Sequence, residues 1–203
     1  MAIIKLNNQS ISAVSALPAG VVDAGALASG VGGALKLLSV TNFSGSTSYV
    51  EVSLDYSDHE NFLFVCDYLE GTYDPGGQNC DLHFKREGQG SFDTGSTDYG
   101  FGGILHDTTT VFNVNQQNSI EIFRGGEPSM EHAFIMNIAG VGNTTSYGYT
   151  FIQENKIDAA GGGQSSFCIN GVYYSTSRVT DMRFSFTAGN VKKIQGKLYG
   201  YGE

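Results

Sequence analysis

The chain has 203 residues, with 28 Gly, 13 Phe and 11 Tyr against 3 Pro and no Trp, and a formal charge of −9 with a pI near 4.8. That length suffices for one domain with a real core, and the composition is that of an all-β protein. The acidic balance argues against nucleic-acid binding, which needs clustered cations, and only Lys85-Arg86 and Lys192-Lys193 cluster at all.

Residues 1–34 differ from the rest. Ala, Gly, Ser and Val dominate, aromatic residues are missing, and apolar positions recur as Ile3, Ile4, Leu6, Ile11, Val14 and Leu17. The segment is too small to bury itself, yet too apolar and too weakly charged for the usual disorder signature. The expectation is an extended N-terminal arm that docks on a partner through those six residues. No signal-length apolar run precedes Asn7 and no stretch approaches the ~18 apolar residues of a membrane span, so neither signal-directed secretion nor membrane insertion is expected. Gly30-Val-Gly-Gly33 lacks the Lys and Ser/Thr of a phosphate loop and reads as a linker.

From residue 35 to 203 one strand pattern follows another. Strands are predicted at 35–41, 49–54, 61–70, 81–86, 109–114, 119–124, 133–139, 147–153, 165–169, 172–176, 179–186 and 193–201. Gly- and Pro-containing turns punctuate them, and no long repeat suggests a propeller or solenoid. The predicted fold is an all-β antiparallel sandwich, of jelly-roll or lectin-like type, behind the arm.

Candidate chemistry is sparse. Asp55-Tyr-Ser-Asp-His-Glu60 lacks the glycine and terminal Glu of a calcium loop and reads as a solvated turn. Cys66, Cys80 and Cys168 form no metal-ligand spacing, and Cys66 lies in an apolar run where a thiol acts as a small core residue. His59, His83, His106 and His132 are scattered with no nucleophile turn, and His83 and His132 are expected on polar strand faces. No metal, cofactor or catalytic residue is assigned. Two polar, Gly-rich segments do carry aromatic rings beside hydrogen-bonding groups, the combination that holds sugars. They supply Asp98, Tyr99 and Phe101 from residues 92–103, and Asn143, Tyr147 and Tyr149 from residues 142–149, as candidate glycan contacts.

The final stretch is the most regular. Met182, Phe184 and Phe186 share one face and Arg183 and Ser185 the other, Gly189-Asn190 predicts a tight hairpin, and Ile194 and Leu198 point inward on the return strand. Gln195, Lys197, Tyr199 and Tyr201 face outward, the two tyrosines offering contact area to a second subunit, while Gly196 and Gly200 sit where a side chain would crowd a neighbouring strand.

This ending, Ser185-Phe-Thr-Ala-Gly-Asn-Val-Lys-Lys-Ile-Gln-Gly-Lys-Leu-Tyr-Gly200, resembles the finish of small virion proteins of tailed phages of marine bacteria. Leu35-Lys-Leu-Leu-Ser-Val-Thr41, Asn61-Phe-Leu-Phe-Val-Cys66 and Leu82-His-Phe-Lys-Arg86 are similar to earlier strands of that family. The resemblance implies a β-sandwich, a homotrimer, and a structural protein assembled in bacterial cytoplasm and released in the virion by lysis. A non-enzymatic tail fibre or spike component that attaches to a host-surface glycan is the leading expectation. A capsid decoration or cement protein is the alternative, and a surface-polysaccharide depolymerase the third.

Overall fold

A computed structural model describes residues 35–55, 58–72, 78–105, 110–126, 131–141, 144–145, 147–157 and 164–201. The arm positions Ile3, Ile4, Leu6, Ile11, Val14 and Leu17 lie outside the described residues. The described chain forms β1 (Lys36–Thr47), β2 (Tyr49–Ser53), β3 (Asn61–Gly71), β4 (Gln78–Arg86), β5 (Tyr99–Leu105), β6 (Thr110–Gln117), β7 (Ile120–Gly126), β8 (Glu131–Ala139), β9 (Gly148–Ile157), β10 (Gln164–Tyr173), β11 (Val179–Phe186) and β12 (Val191–Tyr201), with no helix among the described residues.

Eight strands make a larger sheet in the order β1-β12-β3-β8-β9-β10-β5-β6, and four make a smaller one, β2-β11-β4-β7, every pairing antiparallel. The two pack face to face as a β-sandwich. Strand alternation builds the core: Phe62, Phe64 and Cys66 of β3, Phe134, Met136 and Ile138 of β8, and Met182, Phe184 and Phe186 of β11 are all buried. Phe64 of the larger sheet stacks on Phe184 of the smaller at 5.3 Å, and Phe134 closes on both at 6.0 Å.

Three features depart from the sequence expectation. The connection after Phe186 is no hairpin, because β11 and β12 belong to different sheets. Gly189 has φ +78° but Asn190 does not share a positive φ; instead its N–H donates to Thr72 Oγ1 at 2.7 Å and its side-chain amide to Ser46 Oγ at 2.8 Å, anchoring a crossing between sheets. Second, the predicted strands 165–169 and 172–176 are one strand, β10. Gly171 lies within it because Thr150 and Ile120 occupy the space a Cβ would need. Third, part of the predicted loop 92–103 is β5. Its glycines admit close neighbours: Tyr174 lies over Gly100, and backbone oxygens of Phe112 and Cys168 crowd Gly102 and Gly103.

The predicted inward positions Ile194 and Leu198 are fully buried, and both crowding glycines are accounted for. The Phe64 ring fills the Cβ position of Gly196 at 2.5 Å, and the His59 ring that of Gly200. Gly196→Ala is therefore expected to push Phe64 against Phe184 and destabilise the fold by about 1–3 kcal/mol. Denaturant unfolding would show this as a lowered midpoint at unchanged slope.

Candidate functional site

The pleat that builds the core also decides what reaches solvent. Where β9 begins and β10 ends, three tyrosines gather: Tyr147 (44% exposed), Tyr149 (50%) and Tyr174 (40%). Tyr149 pairs with Ala139 and Val172 on the outward face of the larger sheet. The Tyr173-Tyr174 doublet sends one ring to the core and the other out. Tyr174 is held by its N–H, which donates to the Asp98 carbonyl at 2.8 Å, and its ring meets Tyr147 edge-on at 5.8 Å. The Tyr174 hydroxyl end lies over Gly100 of β5, and exposed rings gathered at a sheet end can stack on the C–H faces of a sugar ring.

The other predicted glycan contacts divide. Tyr99 and Phe101 are buried, and this corrects the expectation that they display their faces. The Tyr99 hydroxyl accepts the Phe84 N–H at 2.8 Å and donates to the Asp93 carbonyl at 3.1 Å, while Phe101 packs edge-on against Phe112 at 6.1 Å. Tyr99 is pulled in because β7 leaves β4 after Leu82, and the chain between β4 and β5 takes over that edge. There the Asp93 N–H donates to the Phe84 carbonyl at 2.9 Å. Asp98 is half-buried, and its carboxylate accepts the Gly95 N–H at 2.6 Å within the turn. Asn143 lies outside the described residues. Tyr199 and Tyr201 are half-buried on the outward face, where Tyr199 sits between Leu37 and Leu63, and Tyr201 pairs with Asn61. Tyr174 was missed by sequence reasoning, although the doublet in a strand is the signal that finds it.

Buried polar groups are structural clamps. Asp93 accepts Arg86 Nη2 and Nε at 2.8 Å each and the Tyr173 hydroxyl, so its carboxylate is fully engaged. Burial and the adjacent Asp93 carboxylate hold the Tyr173 phenol well above its usual range. His132 is on the inner face, not the polar face expected of it. Its Nδ1 bonds Glu154 Oε1, and its ring stacks flat on Phe123 at 3.6 Å. His83 shares the outer face of the smaller sheet with Arg183, yet it is buried, edge-on to Tyr99 at 6.2 Å. In the turn after β2, Asp55 accepts from Arg178 Nη2 at 2.8 Å, and no cluster of metal-ligating side chains occurs among the described residues. Cys66 and Cys80 are buried and free, and burial pushes the Cys66 thiol up to about 12.

No family model, curated protein or solved structure matches this chain, so the exposed surfaces carry the functional argument.

Two titrating groups on β4 give opposite pH signatures. Burial, reinforced by Glu121 and opposed by the Ser119 hydroxyl that donates at 3.1 Å, pushes the Asp81 carboxyl up to about 6. Burial and the Arg183 charge press His83 down to about 4. A raised folded-state carboxyl favours the fold at low pH and loses that benefit as pH rises through 6; a depressed histidine favours it above about 6.5 and loses that benefit towards 4. Asp81→Asn keeps an acceptor for Ser119 and removes the first effect. Relative to the parent, it should gain stability at pH 7 and gain little at pH 3.5, read as denaturation midpoints at the two pH values.

Proposed function

We propose that this chain is a non-enzymatic structural protein of a tailed-phage virion, a fibre or spike component whose β-sandwich attaches to host-surface glycan. The observation that carries the attachment reading is the exposed Tyr147–Tyr149–Tyr174 group, set on a rigid sheet end. Tyr149 is held by strand pairing and Tyr174 by its N–H on the Asp98 carbonyl, and residues so held lose little freedom when a sugar stacks on their rings. Single contacts of this kind are weak, and several copies on one particle would multiply them into firm adhesion. The virion setting rests on the resemblance of residues 185–200 and of the earlier strands, and on the apolar character of residues 1–34.

The second reading, a capsid decoration protein, is favoured by the broad apolar outer face of the larger sheet, which suits packing among shell subunits. Copy number separates the two: hundreds per particle mean shell, and a few tens or fewer mean tail. Sugar release from host polysaccharide would instead support the depolymerase.

Two experiments test the proposal. On a glycan array, the parent protein should bind a defined surface sugar, and Tyr147→Ala, Tyr149→Ala and Tyr174→Ala should each weaken that binding by roughly three- to tenfold without changing the fold. Absence of any bound glycan contradicts the attachment reading. Removing residues 1–20 should leave a soluble folded sandwich that no longer joins particles; retained incorporation would sink the docking role of the arm.

A further inference from the structure

The outward face of the larger sheet is unlike any other surface of the described chain. One row across it runs from Val40 on β1 to Val111 on β6, through Val65, Ile135, Cys168 and Ile104, with Lys197 and Gln153 as its polar members. Val40 is 63% exposed and Val111 73%. The next row joins Leu37, Tyr199, Leu63 and Phe151 with the amides of Asn137, Asn170 and Asn113. All members of both rows are described, and Lys197 is their one charged group, already paired with Asp67 of its own chain at 3.1 Å. The smaller sheet shows the opposite character. Its outer face carries Glu51, Arg183 and a Lys85–Asp181 ion pair at 3.2 Å, and Phe92 lies against the Arg183 guanidinium at 4.5 Å.

We infer that the outer face of the eight-stranded sheet is a self-association surface, covered by a second copy of this chain. Area supports the inference. Across eight strands at ~4.8 Å spacing the two rows cover on the order of 450 Å², and with the rim row on either side the face reaches on the order of 900 Å², about what each partner contributes to a standard stable interface. A patch the size of the two rows is as large as the largest on a typical monomer, and such patches are often functional. The anatomy fits as well, with an apolar middle and a polar rim: Asn42 and Gln195 stand beyond one side of the two rows, and Asn61 and Tyr149 beyond the other.

Charge chooses the occupant. With a net charge of −9, two copies repel over most of their surface, and the neutral face is where that repulsion is least. A foreign partner of opposite charge finds no ionic complement on it. The face does complement itself, because each Asn amide both donates and accepts and can pair with its equivalent in a rotated copy. Tyr149 belongs to the rim of this face, and Tyr147 and Tyr174 stand at its end, outside the two rows. The inference stands without the glycan reading, because its test measures mass and thiol access rather than sugar binding.

The test uses the full chain. Light scattering at micromolar concentration should give a multiple of 21.6 kDa. Ile135→Glu combined with Ile104→Glu places charge at two outward positions of the central row and should reduce the particle to 21.6 kDa with an unchanged far-UV spectrum. Cys168 gives a second readout that needs no substitution. Cys66 and Cys80 are buried, so maleimide labelling of the folded protein reports Cys168, and its rate should rise at least tenfold when the parent is diluted to monomer. A parent that is monomeric with reactive Cys168, or an assembly indifferent to the double glutamate, overturns the inference. A monomer whose Cys168 stays shielded also overturns it and gives the face to another segment of the same chain.

Discussion

The stack of Phe64 on Phe184 is the contact on which the rest of the sandwich depends. It joins β3 of the larger sheet to β11 of the smaller one, with Phe134 bridging beside it. Each fully buried ring of this size contributes on the order of 1.5–3 kcal/mol of burial, and the offset and tilted geometries add to that. The room for Phe64 comes from Gly196 on the neighbouring strand, so a residue with no side chain determines how closely β12 and β3 can share the core. Because side chains alternate, placing Phe62, Phe64 and Cys66 inward sends Leu63 and Val65 outward. The apolar outer face follows from strands that are hydrophobic on both sides, a pattern more usual in strands covered on both faces.

The two outer faces thus have different physical tasks. The smaller sheet is finished by its own chain: the segment between β4 and β5 closes the β4 edge, covers His83, and sets Phe92 against Arg183. Lys85 and Asp181 pair locally, and the Arg183 guanidinium lies against the Tyr49 and Phe92 rings. Among the described residues the larger sheet has no comparable finish across its middle rows, and Lys197–Asp67 is an ion pair that reaches into them. The buried His132–Glu154 pair belongs to a third class. It ties β8 to β9 under the Phe123 ring, and removing one partner would leave a buried polar group unsatisfied, at a cost of about 1–3 kcal/mol.

How much of this was legible in the sequence depends on how local the cause is. Met182, Phe184 and Phe186 on one side of β11, and Ile194 and Leu198 on one side of β12, follow from alternation alone. So does the burial of Cys66. The failures share a cause in long-range neighbours. Gly100, Gly102 and Gly103 read as loop because what fills their side-chain space comes from Tyr174, Phe112 and Cys168, residues distant along the chain. Tyr99 and Phe101 read as ligand platforms for the same reason: the strand they open is invisible until β10 and β6 flank it.

By itself the sequence determined the class of the fold, the strands with clean alternation and the inward set of each, because the two-residue pleat is a property of the backbone. Only the tertiary structure decided that β11 and β12 part into different sheets, that Tyr174 rather than Tyr99 reaches solvent, and that exposed Val40, Ile135, Ile104 and Val111 line up in one row. Register and sheet order are set by which strands meet across the core. That is a many-body packing outcome, and no short stretch of chain encodes it alone.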